Sequence, residues 1–247
     1  MTIPSEKELL DAACHFGHPK EKWNPKMKKY LYGTRKGIHI FDLSKTKTQL
    51  EKACGELKAL QLEGKMIMFV STKQQSIPLI EEMGQALHQP IVTKKWIPGL
   101  LTNWPTLKRR LQYYLDLRRG FQTGEMDKYT KKEQVDLRKM LIKLDSAFAG
   151  VAQMNALPHA LFVVDAVRDH VAVLEAKKLN IPVYGICDSN ANPDEFTVAI
   201  PANDDATKSI ALILSTILTA LTEAKDSKAK EEMPSSSKVV AGEADAA

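Results

Sequence analysis

Short apolar runs alternate with one-sided helical segments along most of the chain. Met66–Val70 is a continuous apolar run, as expected of a strand that is covered on both faces of a parallel sheet. Similar strands are predicted at Leu161–Val164, Pro182–Ile186 and Val198–Ile200, and another short strand at Ile38–Phe41. Strands that alternate with helices form a parallel sheet with helices on both faces. The sequence therefore predicts an α/β fold built on a doubly wound parallel sheet.

Capping patterns locate several helices between these strands. Ser5 with Glu8 has the spacing of a capping box and predicts a helix to about Ala13. Thr72 with Gln75 has the same spacing just after a strand and predicts a helix start there. Further helices are predicted from Ser44 to about Glu63, from about Arg168 to Leu179, and from Asn203 or Asp204 to about Thr222.

The segment 102–150 breaks the alternation because its pattern is wholly helical. Its apolar side chains recur at spacings of three and four residues, which places each set on one stripe of a helix. The two sets are Trp104, Leu107, Leu111 and Tyr114, and Leu137, Leu141, Leu144 and Phe148. Thr130 with Glu133 forms a capping-box pattern before the second set. We predict an antiparallel coiled-coil hairpin, inserted into a sheet domain made of residues 1–101 and 151–224.

Composition and targeting patterns narrow the class of protein. Apolar residues make up 44% and charged residues 26% of the 247 residues, which is typical of a soluble globular protein. The stretch 225–247 has few large apolar side chains and is predicted to be a disordered tail. There is no signal-peptide pattern, and the apolar-rich stretch Ser209–Leu221 is too short to cross a bilayer. We therefore expect a cytoplasmic chain with no membrane partner.

The net charge of +5 conceals two strongly basic segments. Residues 18–48 carry a net +7 and residues 94–143 a net +8. A polyanion in contact with either segment would feel a field far larger than the total charge suggests. Glycine and proline recur in the first segment, so residues 15–36 are predicted to be an irregular basic arm.

The arm interleaves cations with aromatic side chains. This mixture suits RNA, because lysine and arginine neutralise phosphates while aromatic rings stack on bases. The alternative is a solvated charged loop whose aromatic residues pin it to the sheet. The pattern identifies as candidate RNA-binding residues Lys20, Lys22, Trp23, Lys26, Lys28, Lys29, Tyr32, Arg35 and Lys36.

A second basic group begins at Lys94 and Lys95 and continues onto the first helix of the hairpin. Lys108 and Arg109 lie on that helix away from its apolar stripe, where such a row could follow a phosphate backbone. The alternative is the ordinary solvated face of a coiled coil. The presence of the basic arm in the same chain favours RNA contact.

Four acidic side chains and one asparagine are the best candidates for an enzyme. They follow predicted strands at the carboxyl edge of the sheet, where doubly wound folds bind ligands and carboxylates can hold Mg²⁺. These residues are Asp165, Asp188, Asn190, Asp204 and Asp205. The chain has neither GxGxxG nor GxxxxGK[ST], and Asp and Asn are also ordinary turn and capping residues. Two alternatives to RNA binding therefore stay open. The protein could be a Mg²⁺-dependent or nucleotide-binding enzyme, or an adaptor whose hairpin binds only proteins.

No catalytic residue, cofactor or metal site is expected. Cys14 and His18 are four residues apart, but Gly17 and Pro19 would end a helix between them and few other ligands are near in the sequence. The three cysteines, Cys14, Cys54 and Cys187, have no paired spacing and fit a reducing compartment.

Several groups of residues occur in an order that is far more specific than any single motif. They are Ala13–His18, Trp23–Met27, Tyr32–Gly33, His39–Ile40, Asp42–Thr46, Phe69–Lys73, Lys95–Trp96, Leu101–Trp104, Leu157–Asp165, Asn180–Val183, Asp188–Asn190 and Ile200–Ala206. This order resembles the bacterial form of the universal S-two family of small-subunit ribosomal proteins. The resemblance covers about residues 8 to 222. Pro98 and Ser71 stand where the family usually has glycine, and Lys22 where it usually has arginine.

The resemblance implies a flavodoxin-like α/β domain with a protruding coiled-coil hairpin. It implies a structural role without catalysis, in which the protein binds small-subunit ribosomal RNA. The implied protein partners are neighbouring small-subunit proteins, including the large mRNA-binding protein S-one. Carried over from the family, the RNA contacts are Lys22, Trp23, Asn24, Lys26, Lys28, Arg35 and Lys36 in the arm, Lys73 after a strand, and Lys95, Trp96, Asn103 and Trp104 at the hairpin base.

Overall fold

A computed structural model describes residues 3–231 of the chain. The helices are α1 (Glu6–Asp11), α2 (Leu43–Leu62), α3 (Ile77–Leu87), α4 (Trp104–Thr123), α5 (Lys131–Phe148), α6 (His170–Lys178) and α7 (Thr207–Glu231). The strands are β1 (Phe16–Pro19), β2 (Leu31–Arg35), β3 (Ile38–Phe41), β4 (Ile67–Val70), β5 (Ile91–Val92), β6 (Ala160–Val163), β7 (Val183–Cys187) and β8 (Val198–Pro201).

Five strands of the described chain form a parallel sheet in the order β5, β4, β6, β7, β8. Numbered among themselves, they have the order 2-1-3-4-5, which is the flavodoxin-like arrangement. The prediction of a doubly wound α/β fold is confirmed. β5 is not predicted by the sequence, because a strand of two residues, Ile91 and Val92, is too short to produce a pattern.

The apolar side chains of β4 pack into two layers of the hydrophobic core, one on each face of the sheet. Ile67 and Phe69 pack into the core on the side of α2, α3 and α7, whereas Met68 and Val70 pack into the core on the side of α6 and the hairpin. Successive side chains of a strand point to opposite faces, so a strand between two layers must be apolar throughout. All four side chains are fully buried.

The basic arm is a small sheet and not the irregular segment that its glycines and prolines predict. β1 and β2 both pair antiparallel with β3, in the order β1, β3, β2. We call residues 16–41 the arm sheet. The pairing is irregular between Phe16 and Pro19 and again between Leu31 and Gly33. The prediction was wrong because strands of four or five residues with irregular register have no readable period.

Two helices begin at positions other than those predicted. α2 is capped by Asp42, whose Oδ1 accepts a hydrogen bond of 3.2 Å from the N–H of Ser44. α3 begins at Ile77 and not near Thr72. The N–H and the hydroxyl of Thr72 instead donate to the carboxylate of Asp169, at 3.0 and 2.9 Å. A distant carboxylate thus takes the place of the local capping partner.

α4 and α5 form the helical hairpin that the spacing predicts. The facing side chains are buried along each helix: Leu107, Leu111, Tyr114, Leu144 and Phe148. The Tyr114 hydroxyl donates to Oδ1 of Asp145 at 2.8 Å and so links the two helices. The capping boxes at Thr130–Glu133 and at Ser5–Glu8 are both present.

α7 is longer than its sequence pattern predicts. It reaches Glu231, so residues 225–231 of the predicted disordered tail are helical, and the rest of that tail lies outside the described residues. Part of the reason is packing at its end, where Nζ of Lys225 donates to the carbonyl of Ala86 at 2.7 Å. The helix therefore continues where it still finds a partner in α3.

The length of α7 also bears on whether this helix could span a membrane. The segment Thr207–Lys228 has the length and hydropathy of a membrane span, unlike the shorter stretch that the sequence suggested. Its side chains Ile210, Ile213 and Ile217 are fully buried in the core on one face of the sheet. This is the packing of a core helix.

Candidate nucleic-acid interface

The arm sheet is fastened to the carboxyl edge of the parallel sheet by the loop that follows β7. Ser189 in this loop accepts two hydrogen bonds of 2.7 Å, one at Oγ from the N–H of His18 and one at its carbonyl from the N–H of Asn24. A Cβ at Gly17 would lie 2.8 Å from Oγ of Ser189, so glycine permits the close approach. The protein itself thus provides an anchor for the arm sheet.

All seven candidate cations of the arm sheet are exposed to solvent. They are Lys20, Lys22, Lys26, Lys28, Lys29, Arg35 and Lys36. Exposed cations with hydrated head groups are free to neutralise phosphates. Tyr32 is 83% exposed, and its ring is available for stacking on a base.

Asp194 contacts two of these lysines. Nζ of Lys26 lies 2.8 Å from one carboxylate oxygen and Nζ of Lys29 lies 3.9 Å from the other. The hydrogen bond from Lys26 holds the pKa of Asp194 below its ordinary value. Ion pairs between exposed side chains are weak, so both lysines can exchange this partner for a phosphate.

Trp23 and Asn24 are half-buried and shape the arm sheet. The Trp23 ring lies 4.9 Å from the His39 ring, centroid to centroid, at an interplanar angle of 33°. Oδ1 of Asn24 accepts a hydrogen bond of 3.0 Å from the N–H of Lys26 and so caps the short 3₁₀ helix Pro25–Tyr30. Both residues therefore have structural contacts that the aromatic and basic pattern did not reveal.

The hairpin base presents a second set of cations beyond the end of β5. Its exposed candidates are Lys94, Lys95, Asn103, Lys108 and Arg109, while Trp104 is half-buried. Nζ of Lys108 donates to the carbonyl of Asn155 at 3.1 Å, which holds this lysine against the neighbouring loop. The other exposed side chains of this set lie at the surface where the hairpin leaves the sheet domain.

A groove of about 750 Å³ runs between the edge strand β5 and the hairpin. Lys94, Lys95 and Arg118 lie on its wall. The guanidinium of Arg118 donates to the Tyr114 hydroxyl at 3.2 Å. Arg118 is thus a member of this basic surface that its position in a run of charges did not single out, because the groove arises only when the hairpin packs beside β5.

Trp96 is a correction to the predicted interface. Its side chain is 6% exposed, and its Nε1 donates to Oε1 of Glu175 at 3.0 Å. A ring that is buried with its polar atom already paired is not available for stacking on RNA. We therefore remove Trp96 from the candidate contacts.

Lys73 is the clearest correction, because its ammonium group is buried among carboxylates. Its Nζ is 2.7 Å from Asp204, 2.7 Å from Asp205 and 3.3 Å from Asp165, and its side chain is 9% exposed. Three carboxylates match the three donors of an ammonium group. We call these four residues the Lys73 cluster and remove Lys73 from the candidate contacts.

The Lys73 cluster also contains three of the acidic side chains that were candidates for an enzyme, Asp165, Asp204 and Asp205. It lies beyond the ends of β4 and β6, at the point where folds of this type bind ligands. Asp188, nearby, lies 3.0 Å from Nδ1 of His18 and accepts a hydrogen bond of 3.2 Å from the N–H of Asp204. Among residues 3–231, no group of three or more His, Cys, Asp or Glu side chains is arranged to hold a metal ion.

The charged side chains of this region shift one another's pKa values. Burial, with the carboxylates of Asp188 and Asp165, raises the pKa of Asp204, and Lys73 opposes the rise. Burial alone would lower the pKa of Lys73, but hydrogen bonds to Asp204 and Asp205 outweigh it and raise the pKa. The hydrogen bond to Asp188 likewise raises the pKa of His18. The arrangement keeps lysine charged and is suited to holding loops together.

Comparison with known proteins covers nearly the whole chain. A family model described as "Ribosomal protein S2" matches residues 9–224. The chain is also 40% identical over 242 residues to a protein named "Small ribosomal subunit protein uS2" from Flavobacterium johnsoniae. That alignment covers 98% of this chain and 95% of the relative. The matched region begins in α1 and ends in α7, so it includes the arm sheet, the parallel sheet and the hairpin.

Proposed function

The chain belongs to the ribosomal protein S2 family, and on that premise we propose how its two basic surfaces work. It is a structural constituent of the small ribosomal subunit, of the bacterial type, and the family implies a role without catalysis. In this role it binds ribosomal RNA and lies beside other ribosomal proteins. We propose that the arm sheet and the hairpin base are the surfaces that grip the RNA, on ribosomes in the cytoplasm.

One observation supports this proposal above the others: exposed cations from two distant parts of the sequence lie at one edge of the sheet. The arm sheet is attached to the loop that follows β7, and Lys94 and Lys95 lie two and three residues after the end of β5. The carboxyl ends of parallel strands share one edge. Three strand spacings separate β5 from β7, a distance of about 15 Å. A single folded RNA can therefore contact both surfaces at once.

The charged side chains of the arm sheet are held in position before RNA binds. Its anchor at Ser189 and the cap at Asn24 hold the backbone, so less conformational freedom is lost when RNA binds. The lysines neutralise phosphates, and Tyr32 stacks on an unpaired base. The contacts to phosphate supply affinity and register, while stacking favours unpaired nucleotides over duplex.

Protein partners belong to the same proposal. Val171 and Leu174 on the outer face of α6 are 39% and 48% exposed, and Ile142 on α5 is 70% exposed. Exposed apolar side chains on a particle surface suit contacts with neighbouring small-subunit proteins. We propose that these neighbours include the large mRNA-binding protein S-one.

A triple substitution in the arm sheet tests the proposed RNA surface. Lys22, Lys28 and Lys36 are exposed, and none of them is a partner in the two hydrogen bonds to Ser189. Replacing all three by Ala removes up to three phosphate contacts. We expect the affinity for small-subunit ribosomal RNA to fall about 10- to 100-fold near 100 mM salt, and the salt slope to lose about 2 to 3 units. The melting temperature should stay nearly constant, because exposed substitutions change stability little.

The matched control removes the same charge elsewhere. Lys7, Lys52 and Lys65 are not part of the arm sheet or the hairpin, and their replacement by Ala should leave RNA affinity within about threefold of the native value. Equal losses in both triple variants, measured by filter binding, would show that net charge and not the arm sheet determines the affinity.

A further inference from the structure

Glu175 is a buried carboxylate that accepts five hydrogen bonds from one loop. Its Oε1 accepts from Nε1 of Trp96 at 3.0 Å and from the N–H of Gly99 at 2.7 Å. Its Oε2 accepts from the N–H of Leu101 at 3.0 Å and from both the N–H and the hydroxyl of Thr102 at 3.1 Å. The residue is 8% exposed. The segment 96–102 is therefore wrapped around a single anion that α6 supplies.

The carboxylate must be ionised to play this part. Burial alone would raise the pKa of Glu175, but the hydrogen bonds from Trp96, Thr102, Gly99 and Leu101 outweigh it, and the pKa is lowered. An ionised carboxylate accepts at both oxygens, whereas a carboxamide has one accepting oxygen and one donating NH₂ group. Whichever way a glutamine were placed, its NH₂ group would face at least two donors. Glutamate is the side chain that fits this loop.

The loop stands between the two parts of the hairpin-base surface. Lys94 and Lys95 precede it, and Asn103 and the first turn of α4 follow it. Gly99 has φ +86°, a left-handed conformation that glycine adopts without strain, and this turns its N–H toward Glu175. Pro98 has no N–H, yet the backbone N–H groups that donate to the carboxylate come from residues 99, 101 and 102. The proline therefore fits the loop without an unpaired donor.

We infer that Glu175 is a positioning residue for RNA binding, because it fixes the loop that orients the hairpin and the lysines at its base toward the RNA. This inference rests on the proposed RNA-binding function of that surface. Glu175 itself does not touch the RNA. Its effect is exerted through the segment 96–102, which joins the end of β5 to the start of α4. The cations on the two sides of the loop can contact one RNA together only if the loop has a single shape.

The test replaces Glu175 by Gln and follows the salt dependence of binding to a transcript of the small-subunit ribosomal RNA. The control is Glu56→Gln, which changes the net charge equally; Glu56 accepts from the Tyr184 hydroxyl at 2.9 Å and does not belong to the loop or the arm sheet. We expect Glu175→Gln to weaken binding about tenfold near 100 mM salt and to lower the slope by about 1.5 to 3.5 units, equivalent to two to four phosphates. Glu56→Gln should leave both values unchanged.

The slope separates positioning from mere stabilisation. A residue that only stabilises the fold changes the melting temperature, but well below that temperature the folded protein still neutralises the same number of phosphates. An unchanged slope and affinity in folded Glu175→Gln, with a steep native slope, would overturn the inference. A flat native slope would instead overturn the proposed function. If Glu175→Gln does not fold at 25 °C, the variant Thr102→Val takes its place, because it removes one of the hydrogen-bond donors to Glu175. We expect this variant to have a lower salt slope than the native protein. A slope equal to that of the native protein would overturn the inference.

Discussion

Replacing Lys73 by Met should lower the free energy of unfolding by about 3 to 5 kcal/mol at neutral pH. The ammonium group is surrounded by Asp165, Asp204 and Asp205, and its side chain is 9% exposed. Without it, neighbouring carboxylates repel one another in a partly desolvated site. For a chain of this size the loss corresponds to a decrease of about 6 to 20 °C in melting temperature. Denaturant unfolding followed by circular dichroism measures it.

The pH dependence of this loss follows from the same charges. Without Lys73, the pKa of Asp204 rises further, so the folded variant takes up protons that the unfolded chain does not. In the native protein the pKa of Asp204 is already raised to about 7, so both folded proteins hold this proton at lower pH, and the stability deficit should shrink mainly as the pH is lowered from about 9 toward 7. The control is Lys45→Met, which removes a lysine 3.3 Å from Asp42 with 48% of its own side chain exposed. Its effect should stay below about 1 kcal/mol.

The alternative role of Lys73 predicts the reverse pattern. If it were an RNA contact, Lys73→Met would leave stability near that of Lys45→Met and would weaken RNA binding. A small stability loss together with a large loss of RNA affinity would therefore contradict the buried cluster. In our account, folded Lys73→Met binds RNA with native affinity.

Raising the salt concentration from about 50 to 200 mM should weaken binding to small-subunit ribosomal RNA by about 10³- to 10⁵-fold, if 6 to 10 phosphates are neutralised. The arm sheet alone exposes seven candidate cations, Lys20, Lys22, Lys26, Lys28, Lys29, Arg35 and Lys36. The hairpin base adds Lys94, Lys95 and Arg109. Each neutralised phosphate releases counterions, so the logarithm of affinity falls linearly with the logarithm of salt.

The comparison of variants makes this titration specific. The triple variant of Lys22, Lys28 and Lys36 should give a shallower line than the native protein, and the triple variant of Lys7, Lys52 and Lys65 a parallel one. A native affinity that does not change across this range would mean that the exposed cations do not hold the RNA. Filter binding at several salt concentrations is sufficient for all three proteins.

Local patterns were enough to predict the main architecture. The runs at Met66–Val70 and Leu161–Val164 are strands within a residue or two of the predicted bounds, because a buried parallel strand must be apolar on both faces. Most of the predicted hairpin stripes are buried, and Trp104, Leu137 and Leu141 are partly buried, because a period of three and four residues places them on one face of each helix. The capping box at Thr130–Glu133 is likewise a local signal.

The features that were missed depend on partners far away in the sequence. The pairing of Phe16 with Ile40 gives the arm its sheet, and no periodic pattern announces it. Lys73 follows a strand as a surface cation could, and only the packing of its three aspartates shows that it is internal. Glu175 escaped notice because a single acidic residue on a short helix has no pattern, although it organises a whole loop.

Sedimentation of a cell lysate through a sucrose gradient shows whether the chain is a constituent of the small subunit, with the chain followed by an antibody or an added tag. At low salt, we expect nearly all of it to migrate with small ribosomal subunits and with ribosomes that contain them, and high salt should release it toward the top. Should it stay among the free proteins at low salt, a role in the small subunit would be contradicted.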